Sequence, residues 1–214
     1  MSELINYQID EIKEIDFLQN KNEYDKRFEE RYKVLESNIQ LVSLVKEIAI
    51  EQDNLDMTIL WNAFGYLNLL SYDLISVGYS LLAETKKWQK VYFARQVALL
   101  LYEAKEDIPD ILGKSFKCVF DNIPEAKVWL DTLKVYMKDI NGFKLANHEY
   151  LKNIRMNVAG HRDKDIHTQI TVITNINPYY VEQLMFKFDT ILRNLISHIQ
   201  ELLVRTLKIK NNII

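Results

Sequence analysis

Cysteine is nearly absent: Cys118 is the single one in 214 residues. One thiol excludes a disulfide framework within the chain and a Cys-x-x-Cys redox pair. It fits a reducing compartment, so a cytoplasmic location is expected. Cys118 itself is expected as a small buried apolar residue. Glycine and proline are almost as scarce, at 5 and 3. Sheets consume Gly, Pro and Asn-Gly pairs at their turns, so this scarcity argues against a β-rich fold. No Gly-rich phosphate loop and no Gly-x-Ser-x-Gly elbow occurs, which disfavours nucleotide hydrolysis on a P-loop and serine hydrolysis. The N-terminal MSELINYQIDEIKEID is acidic and has no apolar centre, so it reads neither as a signal peptide nor as an Arg-rich transit peptide.

What is present is ordinary for a globular chain: 48% hydrophobic and 27% charged residues, with a formal net charge of -3. A chain of this length buries roughly 70% of its unfolded surface and needs neither disulfide nor structural metal to fold. The mild negative charge argues against broad nucleic-acid coating but leaves room for a local basic site. One stretch, residues 59–83, is long and apolar enough to suggest a membrane span. It contains Asn62, Asn68, Ser71 and Asp73, and an Asp near a bilayer centre costs roughly 2.5–3.5 kcal/mol. It is therefore expected as the buried central helix of a bundle, with no membrane partner.

Apolar spacings of three and four predict helices over residues 6–18, 23–51, 57–84 and 87–104. Gly65 and Gly78 fall inside the third, where another helix can approach closely. Asp107-Ile108-Pro109 reads as a helix start with Asp107 as N-cap, and Asn122-Ile123-Pro124 repeats that signal. A short helix thus ends near Asp121, and another runs from Pro124 until Asn141-Gly142 stops it. A helix over 145–159 follows, closed by Gly160, then a polar turn over 161–165 that Asp163 or Asp165 caps. The β-branched run at 169–174 reads as a short strand or extended connector. A last helix spans 179–207. The expectation is an all-α fold: one elongated bundle of five or more helices over 1–214, with an N-terminal helical arm at 1–22 and a frayed tail at 208–214.

The stretch from His148 to Asp163 stands apart. At about 100° per residue, Leu151, Ile154 and Val158 share an inward face, and His148, Lys152 and Arg155 share the adjacent one. Local physics alone reads these cations as a solvated face and Gly-His-Arg-Asp as a capped turn, with cations favoured at a helix C-terminus. The pattern Arg155-Met156-Asn157-Val158-Ala159-Gly160-His161, followed by Arg162-Asp163 and a long amphipathic helix, resembles the Arg-x4–6-His motif of the HEPN superfamily, in particular its AbiU-like abortive-infection branch. Met156 stands where that family usually has a polar residue, with Asn157 one place later, and Gly160 replaces the more usual Ala or polar residue.

The resemblance implies a homodimer whose motifs meet across a helix–helix interface, and in many members a metal-independent ribonuclease with no cofactor. His161 would then act as general base or acid at the ribose 2′-OH or leaving oxygen. Arg155 would hold the scissile phosphate. Lys152, Arg162 and Lys164 would form a positive rim, and Asp163 would orient a histidine or pair with Arg162. A dimer also answers a geometric problem, since Arg155 and His161 lie about 240° apart on an unbroken helix. The biological setting implied is phage defence or a toxin–antitoxin pair with a neutralising antitoxin. The competing reading is a non-catalytic dimerisation or binding module: antitoxin-like, sensor or scaffold. Metal binding is disfavoured because His148, His161, Asp163, Asp165 and His167 include no His-x3-His or Glu-x-x-His spacing. His148 is expected at the surface or an interface, and His167 and His198 as structural. Trp61, Tyr66, Tyr72, Trp88, Tyr92 and Trp129 are expected as core or dimer contacts rather than base-stacking platforms.

Overall fold

The computed structural model describes residue 17 and residues 19–159 and 164–210. The described chain is helical, with no strand among the described residues. The elements are α1 (Lys21–Glu51), α2 (Leu55–Ala83), α3 (Lys87–Ile111), α4 (Lys114–Cys118), α5 (Ala126–Ile154), a π-helical turn (Arg155–Ala159), α6 (Ile166–Thr174) and α7 (Pro178–Lys210). The 33-residue α7 is about 50 Å long at 1.5 Å per residue. The expected all-α bundle is what forms. No helix among the described residues is long and apolar enough to cross a membrane.

Helix α2 is the centre, touching α1, α3, α4 and α7. Its two glycines explain how closely the neighbours approach. A Cβ on Gly65 would lie 2.6 Å from Val42 Cγ1 of α1, and one on Gly78 would lie 2.3 Å from Met185 Sδ of α7. Of the polar residues in this apolar helix, Asn62 and Asp73 are exposed, while Asn68 and Ser71 are buried and partnered. Asn38 Nδ2 of α1 donates to Asn68 Oδ1 at 2.8 Å, and Asn68 Nδ2 donates to the Phe64 carbonyl at 2.7 Å. Arg31 Nη2 donates to Ser71 Oγ at 2.7 Å, while its guanidinium grips Asp189 of α7 through both Nη atoms. One arginine therefore ties three helices together in the geometry that favours Arg over Lys.

The α1–α2 break falls where Glu51-Gln52-Asp53-Asn54 places it. Asp53 takes a left-handed φ of 52°, a conformation Asp tolerates better than most residues. The Asn54 N–H reaches the Ala49 carbonyl at 2.9 Å and the Asp53 N–H that of Ile50 at 3.0 Å, the paired bonds of a Schellman ending. Asn54 then caps α2 by accepting from the Met57 N–H.

Several local expectations are overturned. Asp107-Ile108-Pro109 does not start a helix. Pro109 sits inside the last turn of α3, where burial of Ile108 and Leu112 offsets the lost backbone bond, and Asp107 accepts from the Tyr66 hydroxyl instead of capping. Asn122–Glu125 is a turn, so α4 ends at Cys118 rather than near Asp121, and the next helix opens at Ala126 rather than Pro124. Asn141-Gly142 does not end it. α5 runs straight through because Ile140 and Phe143 are buried on either side. Residues 169–174 are helical: Asp165 accepts from the His167 and Thr168 N–H groups, and Val172 and Ile173 pack on the core. That cap and packing outweigh the weak β preference of the run. The last helix runs to Lys210, three residues past its expected end. Cys118 is exposed, since a helical step of two residues turns it away from the buried Phe116 and Phe120. Of the expected arm at 1–22, Phe17 is helical and buried against Tyr24 and Tyr79, and Lys21 already belongs to α1.

Two glycines give opposite expectations. Nothing lies within 4 Å of a Cβ on Gly142, so Gly142→Ala should stabilise by about 0.5–1 kcal/mol from helix propensity alone. Gly65→Ala forces the stiff β-branched Val42 to move and should destabilise by about 1–2 kcal/mol. Urea unfolding of the two variants checks the sign of each; the same sign for both would contradict the packing described.

Candidate functional site

The π-helical turn Arg155–Ala159 continues α5 without a break and lies against α3 and α6. It is the last described turn before residue 160. Arg155 is its first residue and is half-buried. Its Nε donates to Glu103 Oε1 at 3.0 Å, its guanidinium carbon lies 5.6 Å from the centre of the Tyr102 ring, and Nη1 is 3.3 Å from Met156 Sδ. A carboxylate and an aromatic face of α3 thus orient the guanidinium.

Deeper along the same edge, Lys105 has no exposed surface. Its ammonium lies 3.8 Å from the centre of the same Tyr102 ring, donates to Glu106 Oε1 and stands 3.1 Å from His148 Nδ1. An ammonium only donates, so Nδ1 is the acceptor in this contact. Lys144 of α5 donates to the other Glu106 oxygen. Tyr102 therefore lies between Lys105 and Arg155, and Glu106 between Lys105 and Lys144. Burial pushes the Lys105 pKa down, while the Glu106 carboxylate partly restores it. The bonds from Lys105 and Lys144 pull the Glu106 carboxyl down to about 2. Close by, burial and the bond to Asp107 hold the Tyr66 hydroxyl above its ordinary value.

The sequence-predicted residues divide. Arg155 and His148 both turn toward α3 around Tyr102, whereas Lys152 is exposed. Asn157 turns back along its own helix, donating to the Asn153 carbonyl and side chain at 2.9 and 2.7 Å. Lys164 is exposed at the turn before α6. His161, Arg162 and Asp163, with Gly160, lie outside the described residues. His198 is structural as expected: it is buried, with Nε2 3.0 Å from the Trp129 carbonyl. His167 is exposed at the start of α6 instead, where its backbone rather than its ring serves the cap. Among the described residues no His/Cys/Asp/Glu group is arranged to hold a metal ion.

Of the aromatics, Trp61 and Trp129 are core residues and Tyr66 and Tyr72 are half-buried, but Trp88 and Tyr92 are exposed and do not belong to the core. Tyr102, Glu103, Lys105, Glu106 and Lys144 were not among the predicted site residues. A signal for Lys105 was present: it falls four residues after Leu101, in register with the apolar stripe Val91, Ala94, Val97, Ala98 and Leu101. A lysine on the buried face of a helix requires a polar partner. Comparison of the chain with protein-family models, curated proteins and solved structures finds no match.

Replacing Glu106 by Gln leaves the buried Lys105 ammonium without its carboxylate and should destabilise the fold by about 1–3 kcal/mol at neutral pH. The native Glu106 pKa lies below its ordinary 4.5, so its contribution is complete above that value and is lost as pH falls toward about 2. Thermal melts of wild type and Glu106→Gln should converge over this range; a gap independent of pH would contradict the assignment.

Proposed function

We propose that this chain is a HEPN-like helical protein that cuts RNA without a metal ion. Arg155 holds the scissile phosphate, and His161 moves the proton at the 2′-OH or the leaving oxygen. The observation that supports this most is the setting of Arg155. The motif arginine begins a π-helical turn six residues before His161 and is oriented by Glu103 and the Tyr102 ring rather than left loose in solvent. A guanidinium positioned before the substrate arrives stabilises developing phosphate charge without reorganisation. Lys144 and Lys105 against Glu106, with exposed Lys152 and Lys164 nearby in sequence and Arg162 following the histidine, bias the edge positive on a protein of net charge -3. In this reading a homodimer brings two copies of the motif into one cleft. The chain acts in the cytoplasm, in phage defence or under a neutralising antitoxin.

One observation favours a second reading, a non-catalytic dimerisation or binding module. The Arg155 charge is already engaged by Glu103, and Met156 fills the place beside it. Incubation of the purified full chain with single-stranded RNA in EDTA separates the two. The ribonuclease reading expects cleavage that falls about 10²–10⁴-fold in His161→Ala and about 10²–10³-fold in Arg155→Ala. Glu103→Gln should lower it less, because Glu103 positions Arg155 and does not touch the phosphate. Intact RNA with wild-type protein of native helicity would establish the binding module instead.

A further inference from the structure

The first turns of α3 carry an unusual surface. Residues 85–95 read Thr-Lys-Lys-Trp-Gln-Lys-Val-Tyr-Phe-Ala-Arg, and no Asp or Glu occurs between Glu84 and Glu103. Trp88 is 65% exposed and Tyr92, one turn later, is 48% exposed. A tryptophan this open is uncommon on a protein surface and invites a function. The Arg95 guanidinium carbon lies 5.5 Å from the Tyr92 ring centre, and Lys86 and Lys87 are exposed beside them. Lys90 turns inward to Glu182 of α7 at 3.5 Å. The carboxylate that precedes the segment in sequence, Glu84, is folded onto the start of the helix, where it accepts the Lys86 N–H at 2.8 Å.

We infer that this surface is a platform for single-stranded RNA, with bases stacking on Trp88 and Tyr92 and phosphates running beside Lys86, Lys87 and Arg95. The inference rests on the ribonuclease reading for its direction and names that substrate's form. Three observations carry it. Aromatic rings one helical turn apart, interleaved with cations, provide the stacking and the charge that single strands require. Lysine is depleted at protein–protein interfaces, so a tryptophan among lysines suits a nucleic acid better than a protein partner. The platform also points at the site. Tyr92 and Glu103 are eleven residues apart on one helix, about 20° apart in azimuth, and Trp88 lies about 22 Å up the axis from Glu103. One face of α3 therefore runs from the exposed rings to the carboxylate that holds Arg155. A duplex presents no free base faces and fits this surface poorly.

The test is fluorescence anisotropy of the full chain with a short labelled 2′-O-methyl oligoribonucleotide, which cannot be cut through its 2′ position. Wild type should bind at low salt, and the matching duplex should bind more weakly. Trp88→Ala and Tyr92→Ala should each weaken binding about tenfold, while Trp88→Phe stays close to wild type because the ring is retained. Replacing Lys86 and Lys87 by Gln should lower the salt slope by about 0.7 for each lysine. Unchanged affinity in Trp88→Ala, or no binding by wild type, overturns the platform. So does a loss of self-association in Trp88→Ala without loss of RNA affinity, which assigns the surface to a protein. The two readings fail separately. His161-dependent cleavage with Trp88-independent binding removes the platform alone, and Trp88-dependent binding without cleavage removes the ribonuclease alone.

Discussion

A helix as apolar as Leu55–Ala83 is stable in water only when its neighbours cover it, and the fold is arranged around that requirement. α1 and α7 approach at Gly65 and Gly78, where a side chain would collide with Val42 or Met185. The same contacts satisfy the polar groups this helix carries inward. Asn38 reaches Asn68, and Arg31 bridges Ser71 and Asp189. Leaving Asn68 or Ser71 unpartnered would cost about 1–3 kcal/mol, so the polar pairs help to set the register. α3 takes a remaining face of α2, burying Val91, Ala94, Val97, Ala98 and Leu101. Its opposite face is left for Trp88, Tyr92 and the charged edge that follows.

That edge consists of charges held by other charges. Lys105 is buried and tolerable only because Glu106, His148 and the Tyr102 ring surround it. Glu106 in turn is fixed by Lys105 and Lys144, and Tyr102 is shared with Arg155. The Arg155 guanidinium thus inherits its position from a network anchored in the helix core. Arg155, half-buried and paired with Glu103, is held by a rigid element. The π-helical turn changes the helical register where the chain leaves α5 for the segment with His161.

The helical class and most helix positions could be read from the sequence because breakers are few and apolar spacing is strong. Where reading failed, long-range burial overrode a local signal. Asn141-Gly142 and Asp107-Ile108-Pro109 are stop and start patterns in isolation, but Ile140, Phe143, Ile108 and Leu112 are buried on the inner face and carry the helix through. The β-branched run at 169–174 became helical under the Asp165 cap. Asp165 as a cap and Gly65 and Gly78 as contact points were foreseeable from residue type alone. Trp88 and Tyr92 share the spacing of core aromatics, so periodicity could not place them outside; the lysines flanking them were the distinguishing feature. The spacing of Arg155 from His161 singles it out in the sequence, but Glu103 and Tyr102, some fifty residues earlier, become its neighbours only through the packing of α5 on α3.

The claim that α3 and the motif segment form one RNA surface is tested most directly by ultraviolet cross-linking of bound single-stranded RNA to the full chain, with the attached peptides mapped by mass spectrometry. Attachment within residues 86–95 and again within 152–164 is the predicted result. RNA that binds but cross-links only to other helices, such as the outer face of α1, would contradict it.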